Sequence, residues 1–337
     1  MPARRLPHRR GHVDRRPLLA FAVRRALFGL ALVLVSSSAG LLLARLAPGD
    51  ATTELRLEGA GAESLRAARA RYGLDRPLAQ QYLDWLRGAV RLDFGMSFRY
   101  GRPVGPLVLE RAANTAVLAV AALVLAICLG VPLGVVSGTR PDRLAARVVR
   151  AGSVVALSLP PMILSLLLAA LAARTGWFPV GGMRGVWDEP GLAPRLADTA
   201  RHLVLPVVAL AVPVAALFER LQARALADTL KEPCLVAARA RGVPDRRLHG
   251  VHALRLALTP VLSLVGLVAG GLLSGSLAVE LIVAWPGLGR LMYEALVSRD
   301  LPLVAGCAAV AAALVALATF VSDVATAWND PRLREAP

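Results

Sequence analysis

Lysine is all but missing: of 39 cationic residues only Lys231 is not arginine. We read that bias as genomic composition, but it has one chemical consequence. A phosphate-binding loop ends in Gly-Lys-Ser/Thr because its lysine must reach the β- and γ-phosphates. Lys231 stands between Leu230 and Glu232, so the chain carries no such ATP site. Charge is also scarce. Charged residues fill 18% of the 337 positions against 56% hydrophobic, where soluble domains carry about 25% charged. That balance argues against a soluble enzyme, a disordered chain and a collagen-like fibre. Cys128, Cys234 and Cys307 lie far apart, so neither a disulfide framework nor a zinc site is supported. HExxH and GxSxG are absent, and no hydrophobic run holds two carboxylates at helical spacing. An intramembrane zinc protease and a serine hydrolase therefore lack their residues, and no cofactor is expected.

What is present is long apolar runs. A membrane-spanning helix needs about 20 predominantly apolar residues to cross a core of about 30 Å. Six stretches qualify: Ala26 to Ala44, Ala112 to Thr139, Ala151 to Ala173, Leu203 to Phe218, Leu256 to Val279, and Leu301 to Ser322. The fourth is short and holds Pro206 and Pro213, so it must borrow flanking residues or kink. A basic region ahead of the first run also fits a secretory signal, yet its 19 uncharged residues exceed the usual 7 to 15 of such a segment. We read it as a retained span.

The net charge of +16 suggests nucleic acid at first sight, but in a lipid-buried chain the charges collect in loops, where they set orientation. We expect no nucleic-acid partner. Eight arginines precede the first span against Asp14 alone, which places the N-terminus in the cytoplasm. Six spans then return the C-terminus to the same side, and Arg140, Arg143, Arg147 and Arg150 fall in a cytoplasmic loop. The segment 45–111 has eleven arginines and eight acids, but long loops translocate largely regardless of charge. The expected organisation is a basic cytoplasmic N-terminus (1–25), a first span (26–44), an extracytoplasmic segment (45–111), a five-helix core (112–327) with a cytoplasmic loop (219–255), and a cytoplasmic C-terminus (328–337). The fold class is all-α and polytopic.

A gradient-driven carrier places ionisable or unwound sites near the membrane midplane. Glu280 and Asp323 both follow runs that already cross the bilayer, so each is expected near an interface. Breaks at Pro132, Pro160, Pro161, Pro206 and Pro213 leave a carrier path open as an alternative to simple kinks. His249 and His252, at i and i+3, suit either a metal or the polar face of a cytoplasmic helix, and no third ligand is nearby. Gly266, Gly270, Gly271 and Gly275 form overlapping small-xxx-small patterns in the fifth span, which explain close helix packing and also suit a smooth translocation path.

The loop 219–255 alternates apolar and arginine positions and is too long for a turn. Within Leu235 to Leu254, Ala237, Ala238 and Ala240 give a slender helix, Gly242 suits a left-handed cap, and Pro244-Asp245 starts a second helix. Small residues before the bend would let a partner groove approach the backbone.

Here the chain resembles a known family. Ala-Ala-(three residues)-Gly resembles the EAA loop of binding-protein-dependent ABC importer permeases. AARARG (Ala237 to Gly242) and HALR (His252 to Arg255) resemble its peptide/nickel branch. So do ARLAPGD (Ala44 to Asp50), RYGLDRPLAQQYLDWL (Arg71 to Leu86), FRYGRPV (Phe98 to Val104) and AWPGLGRLMYEA (Ala284 to Ala295). Val236 replaces the glutamate that names the loop, and Thr259 precedes Pro260 where an aliphatic residue is common. The resemblance implies a type I importer permease in a bacterial or archaeal plasma membrane, with Ala237, Ala238, Arg239, Ala240, Arg241, Gly242 and His252 in an ATPase-coupling loop. It also implies a homologous second permease, two cytoplasmic ATPases, an extracytoplasmic binding protein, and peptides or a related small solute such as nickel as cargo. The segment with Tyr72, Tyr82, Trp85, Phe94, Phe98 and Tyr100 is read equally as a contact for the binding protein or as a small domain with its own core.

Overall fold

The computed structural model describes residues 15–46, 52, 59, 61–71, 75–91, 93–185 and 191–329. Among these, helices account for nearly all regular structure, with one isolated bridge between Met96 and Pro103. α1 (Arg15–Leu46) is followed by the short α2 (Ala62–Arg71) and α3 (Leu78–Val90), then by the long α4 (Val104–Thr139). α5 (Leu144–Ser158) and α6 (Pro161–Thr175) lead to α7 (Leu192–Thr229). The remainder is α8 (Pro233–Ala240), a wound stretch from Asp245 to Ala257 that includes a π-turn at Leu248–Ala253, α9 (Thr259–Ile282), α10 (Leu288–Val297) and α11 (Leu301–Asn329).

Five helices, α1, α4, α7, α9 and α11, are each long and apolar enough to cross a membrane. The third expected span is different: Ala151 to Ala173 is not one helix but parts of α5 and α6, which meet at 99°. The reason is local. Leu159 and Pro160 take extended backbone angles (ψ 111° and 140°), because the residue before a proline is pushed out of the helical region and proline offers no N–H. Each half has 15 residues, about 22 Å at 1.5 Å per residue, too short to cross alone. Taken together, the bent pair is long and apolar enough to count as a sixth span.

The fourth expected span gains most. Leu203 to Phe218 sits inside α7, a single 38-residue helix with Pro206 and Pro213 in its interior. Neighbouring helices hold it: Pro206, Leu210, Phe218, Glu219, Gln222 and Leu226 are all buried. α4 supplies the close fit. A Cβ on Gly130 would stand 2.8 Å from that of Phe218, and one on Gly134 would stand 2.7 Å from the Glu219 carbonyl. On Gly138 it would lie 2.7 Å from the Ala223 carbonyl. Glycine at i, i+4 and i+8 thus lets two backbones meet, which in lipid replaces the missing hydrophobic drive with dispersion contact. α4 also starts at Val104, ahead of the expected Ala112, because Val104, Leu107 and Val108 bury against Leu303, Val304 and Cys307.

The main core joins Leu118, Ala122 and Ala126 of α4 to Leu210 and Phe218 of α7, Leu272 of α9, and Trp285. α1 lies at the edge. Leu27, Val35 and Leu43 are exposed, as a lipid-facing helix requires. Its contacts to α11 include Gly29 against Ala316 and Gly40 against Ala308, and the Arg25 guanidinium pairs with Asp323.

Candidate functional site

The loop picked out by sequence divides in two. Glu219 to Thr229 continues α7, so the region first assigned to the loop begins as a buried helix. The exposed part begins at Pro233, which opens α8 from an N-cap at Glu232. α8 stops at Ala240 with Arg241 as its C-cap, and Gly242 follows with φ 81°. Its N–H donates to the Arg239 carbonyl (3.0 Å) and that of Val243 to the Ala238 carbonyl (3.3 Å), the paired bonds of a left-handed helix stop with an apolar Ala238–Val243 contact. Pro244 caps the next helical stretch at Asp245.

A small core holds this bend: Leu226, Leu235, Leu248, Ala253 and Ala257 are buried, with Ala238 and Val243 packed against them. Ala238 therefore faces inward, and the small-residue face expected to include it consists of Ala237, Ala240 and Gly242, beside exposed Val236, Arg239 and Arg241. A Cβ on Gly242 would meet nothing within 4 Å. His252 is exposed. His249 instead lies 3.4 Å from Arg239, which also sits 3.9 Å from Asp245. The π-turn rotates the two histidines relative to ordinary helix, and no cluster of three metal-capable side chains occurs among the described residues.

The four glycines of α9 separate into two pairs. Gly266 and Gly270 face α11: a Cβ on Gly266 would stand 2.8 Å from Thr319 Cα, and one on Gly270 3.3 Å from Val315. Gly271 and Gly275 face open space and are exposed with Leu267 and Ser274.

Glu280, expected near an interface, is fully buried at the end of α9. Oε1 accepts from Thr115 Oγ1 (2.7 Å) and Ser276 Oγ (3.0 Å), and Oε2 accepts from the Arg290 N–H (2.9 Å) in the first turn of α10. A carboxylate there is favoured by the free N–H groups of a helix start. The AWPGLG stretch wraps this carboxylate, and no sequence pattern marks the partnership because Thr115 and Arg290 lie far from Glu280 along the chain or across a turn. A second buried carboxylate was equally hidden: Glu219 accepts from Ser137 Oγ of α4.

The segment before α4 is tied to the end of α10 and the start of α11. Ser97 Oγ (2.6 Å) and the Arg99 N–H (3.1 Å) donate to Asp300, and the Tyr100 hydroxyl donates to Glu294. Burial pushes the Asp300 carboxyl above its ordinary range, against the Ser97 and backbone donors. Burial also raises Glu294, but the hydrogen bonds from Tyr100 and Arg290 outweigh it and hold that carboxyl low. Of the aromatic residues singled out, Phe94 and Tyr100 join this core, Tyr82 and Trp85 stack at 6.1 Å, Tyr82 meets Ser38 of α1 at 2.8 Å, and Tyr72 lies outside the described residues.

The chain matches the family model described as binding-protein-dependent transport system inner membrane component over residues 130–335. It is 32% identical over 318 residues to the oligopeptide transport system permease protein AppB of Bacillus subtilis, covering 94% of this chain and 99% of that one. The oligopeptide transport system permease protein OppB of Mycobacterium bovis is 35% identical over 274 residues, 78% of this chain and 82% of the other. The glutathione transport system permease protein GsiC of Escherichia coli K12 is 30% identical over 322 residues, 94% and 99% of the two chains. A bundle of spans around a glycine-lined α4–α7 contact, an exposed helix stop at Gly242 and these matches lead to one conclusion: the chain belongs to the binding-protein-dependent transport system inner membrane components, the permease subunits of ABC importers.

Proposed function

We propose that this chain forms half of the translocation pathway for peptides or a related small solute, nickel included, and that the exposed α8–Gly242 bend docks a cytoplasmic ATPase. The bend carries the reading: a helix of eight residues, stopped by a left-handed glycine and backed by its own core, presents a small-residue face with arginines beside it. Such a face admits a partner groove close to the backbone. The core of the bend includes Leu226 of α7, the most buried span, so a push on the bend reaches the bundle interior. The relatives' names, two for oligopeptides and one for glutathione, support peptide-like cargo.

In this reading a homologous second permease completes the pathway, two ATPases supply the energy, and an extracytoplasmic binding protein delivers the cargo. Both termini and the loops 138–150 and 219–255 lie in the cytoplasm of a multi-pass plasma-membrane protein. Gly271 and Gly275, open along α9, are the better pathway candidates; Gly266 and Gly270 serve packing against α11. The test is uptake in reconstituted vesicles. It should require ATP and the partner subunits, and survive collapse of ion gradients. Glu280→Gln and Asp323→Asn should alter assembly or rate while uptake stays coupled to ATP. Uptake driven by a gradient alone would instead establish the proton-coupled carrier.

A further inference from the structure

α3 (Leu78–Val90) stands outside every core of the molecule. No described residue of α2 or α3 is fully buried or joins one of the buried clusters, so these helices do not form a small domain with its own interior. Yet α3 is strongly two-sided. At about 100° per residue, Trp85, Tyr82, Leu86, Ala79, Val90 and Leu83 follow one another around an apolar arc of about 160°, and Gln80, Asp84, Arg87 and Arg91 fill the opposite side. Packing against a protein core takes a stripe of about 100°. The arc exceeds that, and its far edge is uncovered: Ala79 is exposed, Leu83 is 46% exposed and Val90 80%.

The other edge fixes where α3 sits. Tyr82, stacked on Trp85, meets Ser38 of α1 through its hydroxyl at 2.8 Å. Ser38 lies five residues before Leu43, which ends the apolar stretch Val23–Leu43, and so about 7.5 Å inside it at 1.5 Å per residue. The phenol therefore reaches into the apolar layer, and its length sets the α3 backbone near the level at which α1 leaves that layer. An amphipathic helix resting on a bilayer sinks its apolar face by about 5–10 Å, and tyrosine and tryptophan collect at this level. The depth matches. Leu42 and Leu43 are exposed, so lipid already reaches the end of α1 on which α3 rests. The polar side is arranged for water: Asp84 pairs with Arg76 (3.5 Å) and Arg87 (3.3 Å), all three exposed.

We propose that α3 is an interfacial membrane helix. Ala79, Leu83, Leu86 and Val90 enter the boundary between headgroups and acyl chains in the leaflet at the C-terminal end of α1, Gln80, Asp84 and Arg87 face water, and the Tyr82–Ser38 hydrogen bond sets the depth. The segment between α1 and α4 is thereby laid against the bilayer along α3. This lipid contact does not depend on which solute is carried.

The chain, purified with the subunits that accompany it, is placed in nanodiscs of phosphatidylethanolamine and phosphatidylglycerol. Each sample carries a nitroxide on a single cysteine at position 83, 84 or 90, in a background without Cys128, Cys234 and Cys307. Paramagnetic resonance saturation then compares collisions with oxygen, which concentrates in lipid, against those with a water-soluble nickel chelate. Oxygen should dominate at 83 and 90, at a depth of about 5–10 Å. Nickel should dominate at 84, one residue away, which shows that the label itself does not draw the helix into lipid. Leu83→Glu should return the label at 90 to the nickel side, whereas Gln80→Glu, the same charge on the water-facing side, should leave it in lipid. An excess of nickel collisions at 83 or 90 in the otherwise unaltered protein would overturn the proposal. Few collisions with either reagent would overturn it as well, by showing protein instead of lipid over that edge. No arm reads transport, so the outcome stands separately from that of the importer reading.

Discussion

Gly287 and Glu280 share one volume: the Glu280 carboxylate stands where a Cβ on residue 287 would point, and it caps α10 through the Arg290 N–H while binding Thr115 of α4. Three helices are thus referred to one buried side chain. Gly287→Ala should push the carboxylate from its donors and lower stability by about 1–3 kcal/mol, the usual range for overpacking. Glu280→Gln should cost less, since an amide keeps an acceptor for Thr115 and Ser276. Thermal unfolding of the purified assembly ranks the two, and a Gly287→Ala protein as stable as the parent would show that α10 does not rest on this contact.

Gly242→Asp tests the bend. With nothing within 4 Å of a Cβ there, the penalty comes from φ 81°, about 1–3 kcal/mol for a non-glycine residue held in that region, together with a carboxylate at the docking face. All spans should still insert while bound ATPase or coupled turnover falls. Ala238→Asp should act by another route, burying a charge against Leu235 and Leu248 and loosening the bend itself. Normal ATPase binding, ATP turnover and uptake for Gly242→Asp would rule out this loop as the coupling element.

Sidedness is open to chemical labelling. Single cysteines at Gly61 and Gly242, in a background without Cys128, Cys234 and Cys307, should react from opposite sides of the membrane. Cys307 is fully buried among Val104, Leu303 and Val304, so its replacement should be alanine, which adds no polar atom to that core. Same-side labelling in intact cells would reverse the proposed topology.

The extramembrane carboxyls Asp300 and Glu294 should give opposite pH signatures. Asp300 is raised in the folded state, so its contribution is complete below its unfolded value of about 3.9 and is lost as pH rises through the folded value. Glu294 is lowered, so its contribution is present above its unfolded value of about 4.3 and is lost as pH falls through the folded value. Asp300→Asn should therefore flatten the loss of stability toward higher pH, and Glu294→Gln the loss toward lower pH. Unfolding midpoints recorded between about pH 3 and pH 8, bracketing both groups, would contradict this if the two variants shifted in parallel.

The sequence by itself determined the class of molecule: arginine-flanked apolar runs, the missing Gly-Lys-Ser/Thr and the AARARG stretch with its Gly-Val-Pro-Asp bend are local signals, because hydrophobic length and backbone restriction act on neighbouring residues. The left-handed turn at Gly242 is of this kind. Tertiary structure alone decided the rest. The short apolar run Leu203 to Phe218 became the most enclosed span because glycines at 130, 134 and 138 admit α7. Glu280 closes an apolar run, and Glu219 looked like the first residue of a loop. Both are fully buried, since a carboxylate tolerates burial once distant hydroxyls and N–H groups converge on it. Such convergence joins Thr115 to Glu280 and Ser137 to Glu219, pairs whose proximity exists only after the helices have packed.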